Sequence, residues 1–306
     1  MPHAEAPEGE GDGEAAFRSA MSLAFPNAQA SVFLVRPDGW SLAYSSGWSE
    51  RARWKTSFGQ SEPLVEAVAV ERRALSILSA KDDAVLAAEG AVLLIEKLSP
   101  ALENVDSSSG AMGSAVARAL DELVGVITQV DVPEGVRQAW LEQIWTAIEN
   151  DHMPYLEALL DLWGEVCVSP QIASRWADRF LPMARTVLSQ KGMRGYTSES
   201  TACLSALVQA GRHHEVDALL VAEGFWPYKR WEVLSKEARG LVDDAIACAE
   251  AARSPWTDSF DVARLCERML LESDRADEAY ARYAIEANQR STYVGTFKAI
   301  REKYPK

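Results

Sequence analysis

The chain has 306 residues, with 45 acids against 31 bases and a net charge of −14. A hydrophobic content of 48% and a charged content of 25% are those of a globular protein long enough for one large or two medium domains. The acidic balance disfavours general nucleic-acid binding, which rests on neutralising phosphates, and no apolar run approaches the roughly 20 residues that span a bilayer.

Residues 1–14, MPHAEAPEGEGDGE, read as an acidic disordered tail without the apolar core of a signal peptide. The cytoplasm is the expected compartment. Residues 15–60 hold the β-like part. Ser31–Val35 and Ser41–Tyr44 flank the turn Pro37-Asp38-Gly39, and Arg53–Phe58 is a candidate third strand. From Ser61 the hydrophobic period changes from 2 to 3.6.

A helical subdomain is expected over 61–195. Leu64, Val68, Leu75 and Leu78 line its first helix, and a second runs from about Asp82 to Leu98. Asn104–Gly110 is a loop and candidate boundary. Helices are expected over 113–130 and 134–150. Pro154 should open another, with Leu156, Leu159, Leu160 and Trp163 on one face. Ser169-Pro170 is a cap followed by a first-turn proline, Pro182 should kink the helix that follows, and Gly192–Gly195 should end it.

The last segment, 196–306, contains one pattern three times. It begins at Gly211, Gly240 and Asp274, spaced 29 and then 34 residues apart. Each copy has a turn residue, then acids (Glu215; Asp243 and Asp244; Asp277 and Glu278), then a small apolar residue (Val216, Ala245, Ala279). Glycine, and aspartate less readily, closes a helix with positive φ. The acids then meet the unpaired amides of the next helix's first turn. The small residue lets two helices approach. The inner stripe should continue with Leu219 and Leu220, with Ile246 and Ala249, and with Tyr280 and Tyr283. Such periods mark stacked helical hairpins. The expected fold is mainly α: an α-solenoid of tetratricopeptide-like hairpins after a small N-terminal antiparallel β element.

Charge is uneven along this chain. Residues 120–167 carry ten acids against the single base Arg137, and residues 282–306 carry six bases against Glu286 and Glu302. End-to-end stacking, a basic patch for an acidic partner, and a plain solvated face all fit this pattern. The four cysteines, Cys167, Cys203, Cys248 and Cys266, lie in apolar helical patterns and read as buried reduced thiols.

No nucleotide-binding, metalloprotease or serine-hydrolase motif occurs, so no catalytic, cofactor or metal residues are assigned. His213 and His214 are adjacent, and neighbours on a helix point about 100° apart, which suits a helix start better than a metal. The one local anomaly is Phe225–Trp231. Within it Trp226, Tyr228, Lys229, Arg230 and Trp231 are candidate contacts to a partner, since aromatics with interleaved bases suit interfaces. The alternative is a packed helix corner. Trp231 leads an apolar face with Leu234 and reads as core. Trp226, before Pro227, reads as extended and exposed.

Two stretches carry a family resemblance: Trp163–Ala177, and the C-terminal run Asp277-Glu278-Ala279-Tyr280, Tyr283-Ala284, Ala287-Asn288, Thr296–Ile300 and Lys303-Tyr304-Pro305. Together they resemble an uncharacterised bacterial domain-of-unknown-function family of tetratricopeptide-like repeats, over roughly 135–306. The resemblance implies helical hairpins and no assigned catalytic residues. The functional expectation is a protein-interaction scaffold without catalysis or cofactor. Its competitors are an enzyme with a site in the β element or a groove between subdomains, and nucleic-acid binding through the basic C-terminus.

Overall fold

The computed structural model describes residues 33–36, 39–42, 84–102, 111–189, 196–255 and 257–304. The expected tail 1–14, the strand 53–58, the helix from Ser61, the loop 104–110 and the helix end at 192–195 lie outside them. The protein is mainly helical, with thirteen helices and no strand from Ala84 onward among the described residues. Phe33–Arg36 and Gly39–Leu42 pair antiparallel, with Phe33 opposite Leu42 and Arg36 opposite Gly39. The chain divides into two compact units, Met1–Val168 and Ser169–Lys306. The division falls inside the 61–195 segment expected as one subdomain, because the helix after Ser169 packs along the helix from Ser198. Val168 itself sits at φ 63°, a strained value for a β-branched residue.

In the first unit, α1 (Ala84–Leu102) packs on α2 (Ala111–Thr128) and α3 (Glu134–Glu149). Two short helices, α4 (Ala158–Asp161) and α5 (Trp163–Cys167), close against α2. Ala88, Val92 and Ile95 on α1, Leu120, Leu123 and Ile127 on α2, and Leu141 and Ile144 on α3 recur at helical spacing and are buried together. Trp145 and Trp163 meet edge to face at 5.2 Å.

The periodicity at Leu156, Leu159, Leu160 and Trp163 is right, and all four are buried, but one helix from Pro154 is not what forms. The Asp151 carboxylate accepts the Leu156 amide at 2.6 Å and the Ser99 hydroxyl at 2.5 Å. That local turn competes with helix, as short acidic side chains do, so helical structure starts only at Ala158 and breaks at Leu162. Arg137, the only base in 120–167, is buried rather than solvated. Its guanidinium donates to the Ile127 carbonyl at 2.7 Å and the Val130 carbonyl at 2.5 Å, satisfying groups at the C-terminal end of α2.

In the second unit, α6 (Pro170–Ser189) opens on the expected cap, with the Ile172 amide donating to Ser169 Oγ at 3.2 Å. It runs as one helix through Pro182. Then come α7 (Ser198–Gln209), α8 (His213–Leu220), α9 (Trp226–Ala238), α10 (Val242–Ala251), α11 (Ser259–Glu272), α12 (Ala276–Ala287) and α13 (Tyr293–Lys303). Each packs on the next in sequence, and α7 also packs on α9. One core joins α9 to α12 through Val233, Ala245, Ala249, Val262, Met269, Leu270 and Tyr283. None of the four cysteines forms a disulfide. Cys167, Cys203 and Cys266 are buried and Cys248 is half-buried.

Candidate interaction surface

The three turns share one backbone geometry. Gly211, Gly240 and Asp274 adopt φ of 70°, 75° and 57°. At each, the following amide reaches back five residues: Arg212 to Leu207 at 2.9 Å, Leu241 to Lys236 at 3.0 Å and Arg275 to Leu270 at 2.8 Å. The left-handed residue itself donates three residues back. These are the paired bonds that close a helix on a positive-φ residue. The carbonyl of Arg212, Leu241 or Arg275 then accepts the amide of Val216, Ala245 or Ala279, and these three side chains are fully buried. The inner stripe continues with Leu220, Ile246, Ala249 and Tyr283. Tyr280 departs from it. It is about half exposed and sits edge to face with Tyr304 at 5.3 Å, because its Cα lies beside, not beneath, the Ala279–Tyr283 line.

Arginines tie the turns to earlier helices. Arg212 reaches Glu215 and Asp178, both at 2.6 Å. Arg275, at the matching position, reaches Glu278 and Asp243, both at 2.7 Å. From Glu278 the chain of contacts continues through Arg282, Tyr283, Glu250 and Arg253 to Glu286. Burial pushes the Glu250 carboxyl up, but the Arg253 and Tyr283 donors outweigh it and hold the group below the usual range. Solvent screens these pairs, so they fix register more than stability.

Trp226 is placed differently from the exposed position expected of it, while Trp231 is buried, as its place beside Leu234 suggested. Trp226 is 7% exposed, Trp231 5% and Tyr228 fully buried. Trp226 is the first residue of α9, and Phe225 is the extended cap residue. Pro227 falls in the first turn, where no intrahelical amide is needed, so the helical preference there overrides the extended bias of a pre-proline residue. Trp226 and Val233 then point into the α9–α12 core. The Tyr228 hydroxyl accepts the Thr197 amide at 3.0 Å. Three of the five candidate contacts are therefore core residues. Lys229 is half-buried and pairs with Glu232, which also takes Lys236 at 2.6 Å. Arg230 is half-buried over the Trp231 ring at 5.6 Å. What the segment does expose is Phe225, together with Tyr196, which stacks on Tyr228 at 5.9 Å.

A second cluster was not anticipated. Glu267 on α11 is fully buried. Asn288 donates to its Oε1 at 2.6 Å, Tyr304 to the same oxygen at 2.7 Å, and Lys303 to Oε2 at 2.6 Å. Burial, and then the bond to Glu267, push the Tyr304 hydroxyl well above the usual tyrosine range. Asn288, Lys303 and Tyr304 belong to the run that carried the family resemblance, and here they converge on one carboxylate that pins the end of α13. The available signal was an acid on the buried stripe Ala263, Glu267, Leu270.

The outer face of α13 is open. Tyr293 is 97% exposed, Val294 65% and Phe297 63%, and no α13 residue is buried. Elsewhere, His213 Nδ1 lies 3.1 Å from Ser235 Oγ, and burial, then the nearby Arg239, lower its pKa. His214 and His152 are exposed. Among the described residues no group of three or more His, Cys, Asp or Glu side chains is placed to hold a metal ion, and no helix is long and apolar enough to cross a membrane.

No family model, curated protein or solved structure matches the chain.

Proposed function

We propose that this protein is a cytoplasmic protein-interaction scaffold of tandem tetratricopeptide-like hairpins, working without a catalytic site or cofactor of its own. One observation carries the reading: three helix-to-helix turns, at Gly211, Gly240 and Asp274, repeat the same left-handed closure, the same reach-back bond and the same fully buried small residue. Stacked hairpins of this kind offer extended surfaces for partners. The exposed apolar side chains of α13 support it, since a contiguous apolar face on a helix marks a place where something docks.

Affinity purification of the tagged chain from its native host tests the reading. A defined protein partner at near-stoichiometric yield is the expected result. A stoichiometric metal or organic cofactor in the purified protein, measured by elemental analysis and mass spectrometry, would overturn it in favour of an enzyme.

A further inference from the structure

The first helix of each hairpin is covered by the second: α7 by α8, α9 by α10 and α11 by α12. Helix α13 follows α12 as α11 follows α10, and its inner face, Thr296, Ala299 and Ile300, is half-buried or less exposed than the rest. Its outer face has no described element over it. Tyr293, Val294 and Phe297 lie there at helical spacing, with Lys298 and Arg301 continuing the same stripe.

Charge gives the second observation. In the hairpins Arg212, Arg239, Arg253, Arg268, Arg275 and Arg282 all hold carboxylates. Arg290, Lys298 and Arg301 are exposed and hold none among the described residues. Two unpaired cations on α13, Lys298 and Arg301, thus flank an exposed apolar stripe in a protein whose net charge is −14, while Arg290 lies against Gly295 on the other side of the helix. The helices that cover α7, α9 and α11 show the form a covering helix takes in this unit, with first-turn acids that pair with arginines of the turns and neighbouring helices. Each has acids in its first turn (Glu215; Asp243 and Asp244; Asp277 and Glu278) and then a small buried residue.

Building on the scaffold reading, we infer that the outer face of α13 docks an amphipathic helix of a protein partner. That helix has an acidic first turn and a small apolar inner face, and it lies where the second helix of a hairpin lies elsewhere in this unit. Its acids pair with Lys298 and Arg301, and its small residues seat on Tyr293 and Phe297. A flat nucleic-acid groove fits less well, because the overall acidity repels phosphates.

The test uses the full chain and two labelled peptides, followed by fluorescence anisotropy. The first carries residues 240–252 of this sequence, a helix led by Asp243 and Asp244. The second is the same peptide with both aspartates changed to lysine. The acid-led peptide should bind, the lysine peptide should bind roughly ten-fold more weakly, and salt should weaken the first. The double variant Tyr293→Ser, Phe297→Ser should lose the acid-led peptide while its melting temperature stays put, because neither side chain is buried. Equal binding of the two peptides, binding that survives the double variant, or tighter binding of a single-stranded oligothymidylate would each overturn the inference. Self-association that disappears in the double variant would also overturn it, assigning the face to a second copy of this chain. A partner from the native host that still binds the double variant keeps the scaffold and removes the α13 face. Failure to recover any partner removes the scaffold reading itself.

Discussion

Helices α9 and α13 are built from the same materials and end in opposite environments. Both set aromatics among bases: Trp226, Tyr228, Lys229, Arg230 and Trp231 in one, Tyr293, Phe297, Lys298 and Arg301 in the other. In α9 the rings are core. Helices α7, α8 and α10 all pack on it. In α13 the rings face outward and no residue is buried. Composition within a helix therefore does not decide whether an aromatic stripe is core or surface. The number of neighbouring helices does.

The largest test of that contrast is truncation. Trp231→Ala should cost about 3–5 kcal/mol of unfolding free energy, and Trp226→Ala a similar amount, through cavities in a packed core. Phe297→Ala should stay within about 0.5 kcal/mol of the parent. Urea denaturation measures all three, and equal losses would erase the distinction between the helices.

Next in size is Glu267→Ala, which separates how α13 is attached from what it exposes. It removes the acceptor of Asn288, Lys303 and Tyr304 together, at a cost of about 2–3 kcal/mol. Hydrogen exchange should quicken along α13 far more than along α9. Uniform acceleration would show that α13 is held by something other than this carboxylate.

Smaller effects come from the turns before the covering helices. Gly240→Ala forces a Cβ into a left-handed position at about 1–2 kcal/mol, whereas Asp274→Gly relieves one and should gain roughly 0.5–1 kcal/mol. A stabilising Gly240→Ala in thermal melts would mean the turn relaxes to another conformation.

The smallest effect is titration of His213, which faces Ser235 on α9, with Arg239, Asp217 and His214 around it. Its folded pKa is depressed, so the unfolded chain takes the proton more readily. The stability it contributes is complete above the ordinary histidine range and falls as pH drops from about 6.5 towards the lower folded value. His213→Gln should flatten the melting temperature across that window. An unchanged slope would place the titration elsewhere.

Much of the second unit was legible because its signals are local. A glycine or aspartate at positive φ, acids three or four residues on, and a small buried residue after them all fall within six positions, and all three copies were found from sequence. The Ser169 cap was readable for the same reason. Trp226 was misplaced because two local rules conflict at a pre-proline position, and the covering helices that settle the conflict lie elsewhere in the chain. Glu267 shows locally only as an acid on an apolar stripe, because the partners that define its role lie 21 to 37 residues away. The stripe on α13 shows in the sequence as a surplus of bases over 282–306 and as part of the C-terminal run, with nothing to mark it as open. Exposure depends on which helix stands next door, and no pattern within eleven residues records that.

The buried thiols give the second unit a pair of internal clocks. Cys203 on α7 and Cys266 on α11 are fully buried, and burial pushes their pKa values to about 12 and about 11. Alkylating reagents attack thiolate, so in the closed state both sites are silent near neutral pH. Each becomes reactive only during the moments when its own hairpin opens. The ratio of their labelling rates therefore reports which end of the helical array breathes first, without any introduced probe, and occupation of the α13 face should slow the Cys266 clock while leaving that of Cys203 running as before.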